Sequence, residues 1–287
     1  TISLSGILSN IANKTLLASY RAVPSVIQSF VGNRNVNDFK QHTSYRMTGV
    51  GIFEEIGPTG EIKHGKLSEE TYTNQAKTYA KMLSLTRTMM INDDLGAFLQ
   101  IPQIMGRKAA LTLQETVFTL LLSNPSSFFH ANNNNLLTGA GSALDISGLT
   151  AAEQAFLDQT DSEGKPILIV PRVLLVPTSL KVTADNLMTE TRVNETTTAN
   201  KKSTANNPHA GKWEVHSSPY LNSQGISGSS ATSWYLLAGP EDVPIMVISW
   251  LRGQRNPVLD SSEADFNTLG MQWRGVFDFG VDMQDHR

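Results

Sequence analysis

Residues 42–87 read as extended almost throughout, and this restricts the fold of the chain more than any other feature. Residues 42–56 (HTSYRMTGVGIFEEI) are rich in Thr, Tyr, Val, Ile and Phe, with Gly49 and Gly51 placed to bend or bulge a strand. Gly57-Pro58-Thr59-Gly60 is a strong turn signal. Extended character resumes at Glu61 and again over Tyr72–Arg87, where Tyr79, Lys81, Leu83 and Leu85 alternate with Ala80, Met82 and Ser84. The pattern predicts a long β-ribbon. At about 3.3 Å per residue its strand reaches on the order of 50 Å, beyond the radius of a compact domain of this length. A lone two-stranded ribbon is marginal in water. This one carries apolar residues on both faces, Tyr45, Met47 and Phe53 on one and Val50, Ile52 and Ile56 on the other. It needs a surface to lie on, either its own body or another molecule.

The 287 residues suffice for one large domain or two modest ones. Charged residues make up 17%, below the roughly 25% of an average globular chain, and Ser, Thr and Asn fill the difference. The net charge is −3, so no global basic field marks a nucleic-acid binder. The absence of cysteine excludes disulfides, thiolate metal sites and a Cys nucleophile. No apolar run approaches the ~18 residues of a membrane span, so no membrane partner is expected. The chain opens on Thr1 with no signal sequence, which is consistent with trimming or with proteolytic release from something longer. Residues 1–37 hold Lys14, Arg21 and Arg34 and no acid, whereas residues 240–287 are net acidic. These ends attract across subunits or are simply solvated faces.

Residues 2–20 suggest an amphipathic helix. Asn92-Asp93-Asp94 reads as a helix cap, and Pro102 as the first turn of a second helix running to Ser123, where Asn124-Pro125 stops it. Thr150 and Glu153 form a capping box for a short helix to about Gln159. Ile167–Val176 reads as a strand interrupted at Pro171, followed by a helix from Thr178 or Ser179 through Leu187. Residues 190–211 are polar and low in complexity, and predict a mobile loop tolerant of substitution. Strands are expected at Lys212–His216, Trp234–Ala238, Ile245–Leu251 and Met271–Met283. Irregular mixing of helix and strand makes the fold class α+β.

No catalytic constellation emerges. Gly60-x-x-x-x-Gly65-Lys66 lacks the hydroxyl that magnesium needs, because position 67 is Leu. Gly139-Ala140-Gly141 lacks the third glycine of a dinucleotide fold, and Asp278-Phe279-Gly280 has no accompanying kinase motifs. The six histidines show no ligand spacing, and no Gly-x-Ser-x-Gly elbow exists. The four tryptophans fall on strand-like runs, where core packing is the default. Catalytic, cofactor and metal residues are therefore expected to be none.

Three segments, TYAKMLSLTRTMMINDDLGAFLQIPQIMGRKAA, PRVLLVPTSLKVTADNLM and WRGVFDFGVD, together resemble a tailed-bacteriophage major capsid protein. The resemblance is to the Mu-type major head subunit branch, often fused to a ClpP-like prohead protease. It implies an HK97-like capsid fold with an N-terminal arm (1–37), an extended β-hairpin loop (38–80) and a peripheral domain with a long spine helix (81–144). An axial domain (145–265) and a C-terminal strand returning to the peripheral domain (266–287) complete it. It further implies hexamers and pentamers in a closed icosahedral shell around packaged double-stranded DNA, bound non-specifically, with a portal, a scaffold or protease and decoration proteins as further partners. The location would be the virion head, assembled in the bacterial host cytoplasm, with Thr1 left by proteolytic maturation.

Under that resemblance the candidate inter-subunit contacts are Tyr45, Met47, Ile52, Phe53, Pro58, Tyr72 and Tyr79. No Lys and Asn match a covalent crosslink. An encapsulin-like compartment enclosing cargo enzymes shares the fold and is the alternative. A hydrolase would rest on scattered Ser, His and Asp alone.

Overall fold

The computed structural model describes residues 4–48, 68–86, 96–161, 164–196, 202–263 and 270–287. In chain order these form α1 (Leu4–Arg21), β1 (Val31–Val36), β2 (His42–Thr48), β3 (Ser68–Asn74), β4 (Lys77–Thr86), α2 (Gly96–Ser123) and α3 (Ile146–Leu157). There follow β5 (Pro171–Pro177), α4 (Lys181–Thr189), β6 (Arg192–Thr196), β7 (Lys202–Asn206), β8 (Glu214–Ser218) and β9 (Tyr235–Ala238). The chain closes with β10 (Met246–Leu251), β11 (Val258–Glu263) and β12 (Gly270–Met283).

Strand β12 organises the larger sheet. It pairs antiparallel with β4 along one edge, and with β11 and β10 in tandem along the other; β1 joins β10 in parallel. Trp273, Phe277 and Phe279 alternate with more polar positions along β12 and are buried, as a strand with one covered face requires. α2 and α1 cover that face. Leu16 of α1 and Met105 of α2 pack with Leu259 and Trp273, and Asn13 exchanges two 3.0 Å hydrogen bonds with the Leu259 backbone. The two helices touch where Gly106 meets Leu16: a Cβ at Gly106 would lie 2.2 Å from the Leu16 carbonyl oxygen.

The expected break at Pro102 is absent, and a single α2 runs through it. Pro102 forfeits one bond, to the Phe98 carbonyl, and packing of Ile101 and Met105 against Ala12, Leu16 and Trp273 offsets the loss. The proposed cap at Asn92-Asp93-Asp94 lies outside the described residues.

The second sheet has the order β8-β5-β9. Its central strand is apolar end to end because both faces are covered. Val173 and Leu175 enter the main core with Val117, Phe118, Leu121 and Phe279, while Leu174 and Val176 pack with Leu149, Ala184, Met188 and Trp213. β5 begins at Pro171 rather than being interrupted there. Strands β10 and β11 belong to the five-stranded sheet with β1, β4 and β12.

Two local readings are corrected. The short helix opens at Ile146, where the Asp145 carboxylate accepts the Gly148 N–H at 2.7 Å. Thr150 and Glu153 are therefore interior to α3 and do not form its cap. Within residues 190–211, Arg192–Thr196 and Lys202–Asn206 pair as the antiparallel strands β6 and β7 where a loop is expected, and the base of the pair is anchored. Asn207 Nδ2 donates to the carbonyls of Leu187 and Glu190, and its Oδ1 accepts the His209 N–H at 2.9 Å.

His209 is 2% exposed, stacks on Trp213, lies 2.9 Å from Thr150 Oγ1 and faces Glu153 at 3.4 Å. Substitution tolerance therefore does not extend to Asn207 or His209. Burial, helped by the Lys212 charge and opposed by Glu153, lowers the His209 pKa from its ordinary 6.5. The folded ring stays neutral where the unfolded one takes up a proton, so stability falls as pH drops below 6.5. Thermal melts from neutral to acidic pH should show this decline in the wild type and a shallower one in His209→Gln. Parallel pH profiles would contradict it.

Candidate assembly surface

β2 and β3 pair with each other from His42↔Asn74 to Thr48↔Ser68. Among the described residues no third strand joins either of them. This is the ribbon the sequence predicts, but its second strand ends earlier than expected. The run Tyr72–Arg87 breaks at Gln75-Ala76, where the chain leaves the hairpin and enters the five-stranded sheet as β4.

The break is enforced from β12. The Gln75 N–H donates to Asp282 Oδ2 at 3.0 Å, and Asn74, fully buried, accepts from Gln284 Nε2 and donates to Ser44 Oγ, both at 2.7 Å. The Gln75 carbonyl sits so close over Gly280 that a Cβ there would lie 1.9 Å away. Burial raises the Asp282 pKa, while the Gln75 N–H and Lys77 oppose the shift. The root of the hairpin is thus tied by hydrogen bonds at Asn74 and Gln75 to the end of β12 and the residue that follows it.

The predicted contact residues separate accordingly. The register places positions 45 and 47 on one face of the hairpin and position 72 on the other. Tyr72 is half-buried near the root, where it borders a recess with Ser44, Asn33 and Pro244. Ile52, Phe53 and Pro58 lie outside the described residues. Tyr79 is not on the ribbon: it belongs to β4 and stacks on Phe279 of its own core, with centroids 4.4 Å apart.

One exposed apolar feature escaped the sequence reading. Leu168 is 81% exposed and Val170 64%, while Ile167 and Ile169 between them pack inward with Ala238 and Val243. Leu168 has a φ of 60°, which turns its side chain out of an otherwise core-like run. A solvent-facing Leu at a left-handed φ, next to exposed Val170, forms an exposed apolar spot on the described surface.

Among the described residues no group of three His, Asp or Glu side chains could hold a metal ion, and no helix is long and apolar enough to cross a membrane. A cavity of about 550 Å³ opens beside Phe128, Phe129, Phe156 and Trp234. The asparagines around it are occupied in holding the loop: Asn124 bonds both backbone groups of Phe129, and Asn135 bonds the carbonyls of Phe128 and His286.

A family model described as phage capsid protein matches residues 69–287. Among solved structures, the capsid of cyanophage P-SCSP1u aligns with a TM-score of 0.56 at 11% identity, covering 92% of this chain and 86% of that one. The bacteriophage JBD30 capsid aligns at 0.55 and 16% identity, covering 70% and 92%. A structure from Microbacterium phage Oxtober96 aligns at 0.50 and 12% identity, covering 92% and 88%. Identities this low speak to the fold, which is the HK97-like arrangement of helices and sheets that the resemblance implies. No curated protein sequence matches the chain.

Proposed function

The chain belongs to the phage capsid protein family, and we propose that it builds the head as hexamers and pentamers of a closed icosahedral shell around packaged double-stranded DNA. It is the major capsid protein, a structural component of the virion. The observation that carries the assembly reading is the β2–β3 hairpin, rooted on β12 and joined by no third strand among the described residues. Such a hairpin is marginal alone and gains a surface when it lies on a neighbouring copy.

In this reading the five-stranded sheet with α1 and α2 is the peripheral unit. The three-stranded sheet with α3 and α4 is the axial unit, and Leu168 and Val170 supply a second contact there. Each contact is weak, but every subunit has several, and closure makes their effect collective. No residue is assigned a catalytic role.

Sedimentation velocity and negative-stain imaging of the purified chain test this reading. Closed particles or capsomers of five and six copies are expected. A monodisperse monomer at every concentration and salt tried would overturn it.

A further inference from the structure

α1 and α2 lie side by side on one face of the larger sheet, so their outer faces form a single surface. On α1, Ala12 and Leu16 point inward, and Lys14 and Arg21, two turns apart, project the opposite way and are exposed. On α2, the exposed Arg107 and Lys108 follow directly on Gly106, the point of contact with α1. α1 has no acidic residue, and α2 has only Glu115. The two helices therefore carry four cations against one carboxylate, a net of +3 in a chain whose total is −3.

Some cations of the chain are neutralised and others are not. Lys181, Lys212, Arg172, Arg274 and Arg287 each pair with a carboxylate within 4 Å. Among the described residues Lys14, Arg21, Arg107 and Lys108, like Arg34, Lys77 and Lys81, have no carboxylate within 4 Å. Exposed Ile11 and Ile104 lie among them, so the surface is not a conventionally solvated charged face. A cluster of like charges without internal neutralisation attracts a polyanion from outside.

We propose that the outer face of α1 and α2 is the surface on which this subunit receives the phosphate backbone of packaged duplex DNA. The assignment rests on the shell reading above and supplies the side of the subunit that faces the genome. Two convex helices offering Lys and Arg reach phosphates and enter no groove, so binding is independent of base sequence. Four neutralised phosphates per copy give weak, salt-sensitive contacts that accumulate over many copies and still release the genome.

The test uses the full chain and a fluorescein-labelled mixed-sequence duplex of about 20 base pairs, followed by anisotropy from about 50 to 200 mM salt. With four phosphate contacts the slope of log K against log salt is about −3.6, a loss of about 150-fold over that range. Lys14→Gln with Arg107→Gln should halve the slope and reduce the loss to about 12-fold. Arg21→Gln with Lys108→Gln should do the same, which guards against one pair failing to fold.

Both pairs should assemble as the wild type does. Undetectable duplex binding at the lowest salt, or an unchanged slope in both variants, overturns the proposal. So does loss of assembly with duplex binding retained, which would make this face a contact between copies. A wild type that binds duplex with the expected slope yet never assembles keeps this face as a duplex-binding surface but removes the shell reading, and with it the assignment to a packaged genome.

Discussion

Deleting residues 50–66 and closing the gap with a short turn leaves a folded monomer that forms no shells. The four hydrophobic clusters draw no residue from positions 37–75, so the deletion removes nothing from the described core. The described β2–β3 ladder, from His42↔Asn74 to Thr48↔Ser68, lies outside the deletion, so its hydrogen bonds and its root at Asn74 survive. Shortening the connection between Thr48 and Ser68 changes closure entropy by only about 1 kcal/mol, so the melting temperature should stay within about 4 °C of wild type. Circular dichroism and sedimentation velocity read the two outcomes separately. Shells from the deleted chain would show that the tip contributes nothing to assembly, and an unfolded deletion would show that the tip packs at home.

Gly280→Ala should unseat the root of the same hairpin. A Cβ at this position would lie 1.9 Å from the Gln75 carbonyl oxygen and 3.1 Å from Ala76 Cα, and both are backbone atoms with no rotamer to yield. The β3–β4 junction must lift from β12, which breaks the Gln75–Asp282 and Asn74–Gln284 hydrogen bonds. The expected cost is about 3 kcal/mol, a fall in melting temperature of roughly 6–12 °C for a chain of this size. Assembly should fall further than stability accounts for, since a displaced root aims the hairpin elsewhere. Gly141→Ala is the control: a Cβ there meets nothing within 4 Å, and neither melting nor assembly should change. Equal behaviour of the two variants would show that the root geometry does not matter.

The parts of the fold that were legible in the sequence are those with one dominant local signal. Helix α2 announces itself by its apolar stripe, and PRVLLVP by a continuous apolar run that only a doubly covered strand needs. Trp213, Trp250 and Trp273 are buried, as their setting suggested. What stayed hidden depends on distant partners. Gln75-Ala76 contains neither Gly nor Pro, so nothing local separates β3 from β4; the ties that hold the break come from Asp282 and Gln284, and Gly280 leaves room for the Gln75 carbonyl, all far along the chain. That is also why Tyr79 was placed on the ribbon and is found in the core.

The β6–β7 hairpin read as a loop because both its faces are polar, and its anchor is a side chain, Asn207, reaching back to the end of α4. β1 (VGNRNV) and β11 (VLDSSE) were missed because their apolar residues are too few to alternate; pairing with β10 and β12 makes them strands. For the contact residues, composition pointed to the hairpin but could not say which tyrosines lie on it. The register does this for Tyr45 and Tyr72. Leu168 was invisible because one left-handed φ, not the residue type, turns it outward.

A cryo-EM map of the assembled particle, traced through residues 42–74, decides where the hairpin finds its cover. It should cross from its root on β12 onto a neighbouring subunit, with Tyr45 and Met47 at or beside that contact. A hairpin folded back over the body of its own chain, with neighbours joined only elsewhere, would refute the reading.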